Sequence, residues 1–328
     1  MPLLEVKKLE THYFTRMGIA QAVSDVSLDV NDNEFLGVVG ESGCGKSTLA
    51  YSILNLIPEP GRIVSGQILF KGTDLLKLDE KSMSKIRWKD ISMIFQQSMN
   101  ALNPVVKVGD QIKEAIMIHE KNIHRPHIQE ELINKVKDLF NQVGLDSRFI
   151  QSYPFELSGG MKQRVMIAMA LACEPSLIIA DEPTTALDVT IKAQIMDLMK
   201  TLRKKYNLSL MMISHDLSVV AETCDEVAVM YGGKIVEKGD VISIFKNPGH
   251  PYTKLLIGAI PSMERGKTKK LTSIPGKPRN LINPPPGCRF SDRCPYVQDI
   301  CEKIYPRPEE HQNIACHFVD ELRGVSIG

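Results

Sequence analysis

Nine residues from Gly40 to Thr48 read G-E-S-G-C-G-K-S-T, after an apolar run ending at Val39 and before a helical pattern over 49–56. The spacing is G-x-x-x-x-G-K-[ST], and its residue types suit the binding of polyphosphate. Glycine at Gly40, Gly43 and Gly45 lets the backbone wrap closely, so that the N–H groups of Glu41, Ser42, Cys44 and their neighbours aim at phosphate oxygens. Lys46 would contact the outer phosphates, Ser47 would ligate Mg²⁺, and the helix beginning near Thr48 adds a field that favours an anion. A second element complements the first. Leu177 to Ala180 form an apolar strand that delivers Asp181 and Glu182 at its end. Asp181 would help hold Mg²⁺, and Glu182 would orient or deprotonate an attacking water.

Ser158, Gly159 and Gly160 open a helix-compatible run and form a second anion site, since free N–H groups, a hydroxyl and a helix dipole converge there. One nucleotide seldom needs two cradles from one chain. The economical arrangement is two subunits head to tail, each closing the other's site.

Of seven cysteines, Cys44, Cys173 and Cys224 are scattered, whereas Cys288-x₅-Cys294-x₆-Cys301-x₁₄-Cys316 crowd the C-terminal stretch. In a reducing compartment such crowding suggests metal before disulfides. Structural zinc sites usually take cysteines in pairs two to four residues apart, and no such pair occurs among these four. Four separated thiolates can wrap a larger object, and a four-iron, four-sulfur (4Fe-4S) cluster is the expectation. Zn²⁺, free thiols and disulfides stand as alternatives. Arg289 and Arg293 are expected to offset the negative charge of such a cluster.

The elements that must position these residues follow from patterning. A chain of 328 residues implies two domains, or one large one with an appendage. With 40 Lys and Arg against 39 Asp and Glu, the formal charge of +1 offers no polycation, so no nucleic-acid partner is expected. Charges interrupt the first apolar residues before a secretory core could form, and no apolar stretch reaches the roughly 20 residues that span a bilayer. The expectation is a soluble chain without signal peptide or transmembrane segment. Leu4 and Val6, then Val26, Leu28 and Val30, alternate as strands do, and Phe35 to Val39 suits a buried strand. Around 110–140, Ile112, Ile116, Leu132, Val136 and Leu139 recur at helical spacing and mark a helical insertion. Strand runs at 177–180, 210–213 and 227–230 alternate with helical ones such as 191–202, which implies βαβ crossovers and a largely parallel sheet. From about 258 the prolines, Pro261 among them, indicate a linker and a loop-rich terminal module.

Taken in order, these motifs resemble the ATP-binding subunit of ABC transporters across residues 1 to about 255. The resemblance implies an α/β P-loop NTPase cassette: a RecA-like core with an antiparallel N-terminal β-subdomain and a helical subdomain at about 97–157, bounded as a nucleotide-binding domain over 1–257. It assigns Gln96, in Ile94-Phe95-Gln96-Gln97, to the loop that touches metal and water, and Asp188, in Ala186-Leu187-Asp188, to the D-loop. His215 matches the switch histidine that contacts the γ-phosphate. Tyr13 is the candidate adenine platform, with adjacent Phe14 as the alternative. Catalytic roles fall to Glu182, His215 and Gln96. Metal roles fall to Ser47, Gln96 and Asp181.

The remainder, with His250-Pro251-Tyr252-Thr253, Pro284-Pro285-Pro286-Gly287-Cys288-Arg289-Phe290 and Arg293-Cys294-Pro295, is similar to the tail of oligopeptide and dipeptide importer ATPases. It assigns 258–328 to a small C-terminal cysteine-rich module. The implied activity is ATP hydrolysis, with ATP and Mg²⁺ as ligands, that drives closure of two cassettes as a homodimer or heterodimer. The implied partners are two membrane permeases, which dock a short helix beside the Gln96 loop at the cytoplasmic face of the membrane, and indirectly an extracytoplasmic peptide-binding protein. Two alternatives are weighed here: a soluble ABC ATPase of iron-sulfur assembly or metal sensing, and an importer of nickel rather than peptide.

Overall fold

Alternating burial along the first thirty residues folds them into a hairpin. β1 (Leu4–Thr15) pairs antiparallel with β2 (Gly18–Val30), with Leu4, Val6 and Leu9 buried on one strand and Val26, Leu28 and Val30 on the other. The register slips between Val6 and Leu9, where Lys8 takes a positive φ of 45°. This bulge breaks the strict alternation of the sequence and turns the strand. The fully buried β3 (Phe35–Val39) leads into α1 (Lys46–Ile53). β4 (Gly61–Phe70) returns antiparallel to β1, and the short β5 (Thr73–Asp74) pairs with β4. The resulting sheet has the order β2-β1-β4-β5.

This computed structural model describes residues 1–96, 101–119, 128–185, 187–259, 274–308 and 313–322. Gln97, Ala186 and the linker residues 260–273 with Pro261 lie outside the described residues. The chain divides into two units, Met1–Leu76 with Ile213–Gly328, and Lys77–Met212.

The second unit begins with α2 (Glu80–Ile86), capped by the Asp79 carboxylate, and β6 (Ile91–Ile94). Two amphipathic helices follow, α3 (Val108–His119) and α4 (Ile128–Gln142), which bury Val108, Ile112 and Ile116 and Leu132, Val136, Leu139 and Phe140. Next come α5 (Gly159–Leu171), β7 (Leu177–Asp181), α6 (Val189–Tyr206) and β8 (Ser209–Ser214), the last two residues of β8 belonging to the first unit. β7 runs parallel to β6, in register from Ile91 opposite Leu177 to Ile94 opposite Ala180, and has β8 on its other side. Burial on both faces explains why β7 and β8 read as unbroken apolar runs.

The chain then completes the first unit with α7 (Leu217–Thr223), β9 (Glu226–Tyr231) and β10 (Lys234–Asp240). β9 runs parallel to β3 and antiparallel to β10. The β9–β10 turn uses Gly232 and Gly233, both at positive φ. α8 (Val241–Lys246), α9 (Pro251–Gly258), α10 (Asp299–Lys303) and α11 (Val319–Leu322) close the list of helices among the described residues. Two tail segments bond to strands by main chain. Gln21 N–H donates to Leu281 O at 2.9 Å and Asn283 N–H to Ile19 O at 3.0 Å, while Lys238 N–H donates to Asn313 O at 3.1 Å and Ala315 N–H to Val236 O at 2.8 Å. Among the described residues no helix is long and apolar enough to cross a membrane.

Candidate functional site

The loop from Gly40 to Ser47 in the first unit is shaped by contacts that only glycine permits. A Cβ at Gly45, where φ is +107°, would lie 2.0 Å from Ala22 O, and one at Gly40, where φ is +154°, would lie 2.1 Å from Met230 O. Gly43 also has positive φ, 78°, but faces open space. Close backbone approach therefore fixes the two ends of the loop and leaves its crest clear. α1 begins at Gly45 without a side-chain cap, whereas Ser158 caps α5, Asp188 caps α6 and Asp216 caps α7. Without a capping side chain, the first-turn N–H groups of α1 remain available to an anion. Lys46 is buried beneath the loop, and its Nζ donates to Gly40 O at 2.7 Å and Glu41 O at 3.0 Å. Ser42 and Gly43 are exposed, and Ser47 is half-buried at the start of α1. A glycine-lined cradle, an ammonium and a hydroxyl at an open helix start form a donor set that fits a magnesium-bound polyphosphate. Burial raises the Cys44 thiol above its ordinary range despite nearby Lys46, so it packs as a neutral thiol.

The second unit gathers the carboxylates. Asp181 ends β7 fully buried, and Glu182 follows it half-buried in a left-handed conformation, φ 49°. Left-handed backbone at a non-glycine residue costs about 1–3 kcal/mol and recurs at functional sites. Gln96, exposed beyond β6, donates from Nε2 to Glu182 Oε2 at 3.2 Å, and Thr185 Oγ1 donates to the same oxygen at 2.9 Å. Parallel pairing of β6 with β7 brings Gln96 and Glu182 together, since both leave the same end of adjacent strands. Ser158 is exposed, and its Oγ accepts from Met161 N–H at 3.3 Å. Gly159 and Gly160 open α5, with Gly160 close to Ile191 of α6. Asp188 accepts from Ile191 N–H at 2.9 Å. The hydroxyl and carboxylate expected to meet ligand thus also hold their own helix ends.

In the first unit, His215 is exposed just past β8, and neighbouring Asp216 caps α7 through Ser218 N–H at 3.0 Å. Tyr13 lies half-buried on β1 and its ring occupies the space a Gly61 side chain would need. The Phe14 ring carries the Arg62 guanidinium 4.0 Å from its centroid, so one face of Phe14 is already covered.

Cys288, Cys294, Cys301 and Cys316 line one small cavity, walled also by His250, Phe290, Tyr296, Phe318 and Leu322. No disulfide joins the four. Burial pushes the Cys288 thiol up to about 12 and Cys294 up to about 11. Among the described residues no three His, Cys, Asp or Glu side chains converge closely enough to hold a single metal ion.

One expectation needs correction. Arg289 and Arg293, expected to compensate charge at the cysteines, direct their guanidinium groups elsewhere. Arg289 donates to Gly232 O, to Gln21 Oε1 at 2.5 Å and to Ser24 Oγ at 3.0 Å. Arg293 forms a two-point pair with the Glu41 carboxylate at 2.6 and 3.0 Å. Local charges within reach along the chain were a poor guide, because both arginines satisfy carbonyls and a carboxylate brought in from distant segments. Tyr252 stands in the sequence only as part of the tail motif, and its contact with the loop, in which its Oη accepts from Glu41 N–H at 2.8 Å, had no signal there.

Comparison with known proteins accords with this geometry. Residues 23–185 match the family model described as "ABC transporter", and residues 236–301 match "Oligopeptide/dipeptide transporter, C-terminal region". The chain is 45% identical over 326 residues to the dipeptide transport ATP-binding protein DppD of Bacillus subtilis, covering 97% of this chain and 95% of that protein. It is 49% identical over 302 residues to the oligopeptide transport ATP-binding protein OppD of the same organism, covering 91% and 83%. Among solved structures, a dimeric ATP-binding cassette in a post-hydrolysis state bound to ADP and Pi superposes with a TM-score of 0.65 at 27% identity, covering 73% of this chain and 98% of that one.

Proposed function

Since this chain belongs to the family of ABC transporter ATP-binding proteins and shares its α/β cassette fold, we propose that it is the ATP-hydrolysing subunit of a dipeptide or oligopeptide importer. The observation that carries this reading is the relationship to dipeptide and oligopeptide transport proteins over 97% and 91% of the chain, tail included. The soluble iron-sulfur assembly and nickel-import alternatives have no comparable support. The chain acts at the cytoplasmic face of a membrane, as one of two cassettes beneath two permeases that receive peptide from an extracytoplasmic binding protein. Residues 1–257 form the cassette, with 97–157 as the permease-facing helical part, and 258–328 form the tail.

Each residue keeps a definite role in this reading. The N–H groups of Gly40 to Thr48 and the Lys46 ammonium hold the phosphates. Ser47, Gln96 and Asp181 serve Mg²⁺, which when bound draws charge from the transferring phosphoryl group. Glu182 orients or deprotonates water, supported by the Gln96 contact to its carboxylate, and His215 meets the γ-phosphate. Ser158, Gly159, Gly160 and Asp188 act on the nucleotide of the partner cassette. Tyr13 supports adenine, because the Phe14 face is covered by Arg62. Catalysis here is positioning and charge stabilisation, and its output is closure and reopening of the cassette pair.

The four tail cysteines are assigned to a 4Fe-4S cluster of structural or regulatory function. Support comes from four free thiols around one cavity. Cluster ligation requires thiolates, so assembly would release the protons that burial otherwise holds on Cys288 and Cys294.

Reconstitution with its permeases in lipid vesicles tests the transport reading: ATP-dependent uptake of short peptides is expected, and hydrolysis that no permease or peptide stimulates would overturn it. Anaerobic purification with assays of iron and acid-labile sulfide tests the cluster. A colourless protein with stoichiometric zinc refutes it.

A further inference from the structure

Glu41 is held twice by residues near the C-terminus. Its carboxylate pairs with both terminal nitrogens of Arg293, whose side chain is only 3% exposed, and its N–H donates to Tyr252 Oη. Arg293 is anchored in turn: its Nε donates to Pro275 O at 2.6 Å and Nη1 to Tyr231 Oη at 3.2 Å. Tyr252 is fully buried and packs 5.3 Å, centroid to centroid, from Phe290. Phe290 also lines the cysteine cavity, and Cys294 follows Arg293 directly in the chain. Two physically continuous routes therefore run from that cavity to a single residue of the phosphate loop. One passes through charge and the other through aromatic packing and a hydroxyl.

A bidentate guanidinium–carboxylate pair fixes both position and plane of the groups it joins. At Glu41 it constrains the loop residue whose own carbonyl accepts from Lys46. Loss of Glu41 leaves the Arg293 charge, whose side chain is only 3% exposed, without its carboxylate, and loss of Arg293 removes the two-point hold on the Glu41 side chain.

We infer that Arg293 and Tyr252 are positioning residues for the phosphate loop, acting together on Glu41, so that the cysteine-bearing tail sets the affinity of this chain for nucleotide. The inference rests on the reading of residues 40–48 as the ATP phosphate loop. It holds whatever occupies the cysteine cavity.

A double-mutant cycle on the full chain provides the test, with affinity for Mg²⁺-bound ATP read by equilibrium titration and melting temperature measured in parallel. Arg293→Met and Glu41→Gln are each expected to weaken binding about fivefold or more, and the double variant no further than the poorer single. Arg293→Lys, which keeps the charge but loses the two-point geometry, should recover part of the loss. Tyr252→Phe should weaken binding through its separate contact. With saturating ATP, kcat should change far less than KM. Losses that simply add, or unchanged affinity in Arg293→Met and Arg293→Lys, overturn the inference. Should Arg293→Met fail to fold, Arg293→Lys and Glu41→Gln carry the same comparison. A wild-type chain that binds no ATP overturns the phosphate-loop reading itself, whereas normal wild-type binding with equally normal variants overturns the positioning role alone.

Discussion

Gln96 and Glu182 touch through one hydrogen bond, Nε2 to Oε2 at 3.2 Å, across the ends of two parallel strands. The amide proposed to serve the metal is thereby tied to the carboxylate proposed to serve the water. Glu182→Gln keeps the shape and the Gln96 contact but removes the negative charge. Hydrolysis should fall by about a hundredfold or more, the usual contribution of a positioned base, while ATP affinity stays within about twofold of wild type. Single-turnover hydrolysis beside equilibrium binding checks this, and equal loss of binding would remove Glu182 from its role.

Gly45 and Gly43 separate two uses of glycine in one loop. An added methyl at Gly45 meets a backbone oxygen at 2.0 Å, whereas at Gly43 it meets nothing within 4 Å. Gly45→Ala should lower both the melting temperature and ATP affinity. Gly43→Ala should cost about 1 kcal/mol of stability for its positive φ and show its larger effect on nucleotide binding, where the methyl enters space that phosphate needs. Equal stability losses in the two variants would contradict this division.

Ser158 has a local duty, as the cap of α5, and a proposed one toward the partner's nucleotide. The two can be separated by chemistry. Aspartate is as good a cap as serine, while serine to alanine costs about 1 kcal/mol at such positions. Ser158→Asp should therefore melt close to wild type yet lose hydrolysis, because its charge opposes a phosphate. Ser158→Ala should lose some of both. Full activity in Ser158→Asp would leave the serine with a capping role only.

His250 caps α9 through Nδ1, which accepts from Tyr252 N–H at 3.0 Å, and complete burial holds its pKa at about 3 against 6.5 for the free side chain. The folded state refuses a proton that the unfolded chain takes up as pH falls below 6.5. Stability is thus fully present above that value and is lost progressively toward pH 3. The loss between pH 6.5 and 5.5 is about 1 kcal/mol. Glu237, which accepts from Gly249 and His250 N–H groups, is raised by burial and works in the opposite sense. The readout is therefore the difference between wild type and His250→Asn, a variant that keeps a capping acceptor without titrating. Denaturant unfolding from pH 7 to 5 should show the difference shrink as acid is added. Parallel curves would refute the assignment.

Much of the architecture was legible in residue order. The phosphate loop, the apolar strand bearing Asp181 and Glu182, and the periodic helices at 108–119 and 128–142 all announce themselves through local pattern. β1 was harder, because the bulge at Lys8 shifts the alternation part-way along the strand. The ties of Glu41 to Arg293 and Tyr252 were not legible, being separated by 252 and 211 positions with no periodicity connecting them. Ser158 and Asp188 show the converse difficulty. Their residue types suit a ligand and a helix cap equally well, and sequence alone does not separate the uses.

The two main-chain stitches made by the tail fall on β2 and β10, each the outermost strand of its pairing order. Outermost strands present unused donors and acceptors that invite other chains to add on. Residues 281–283 and 313–315 engage part of both margins from within the same polypeptide. A cassette trimmed of this tail would bare backbone donors and acceptors along part of both borders that the intact chain satisfies internally.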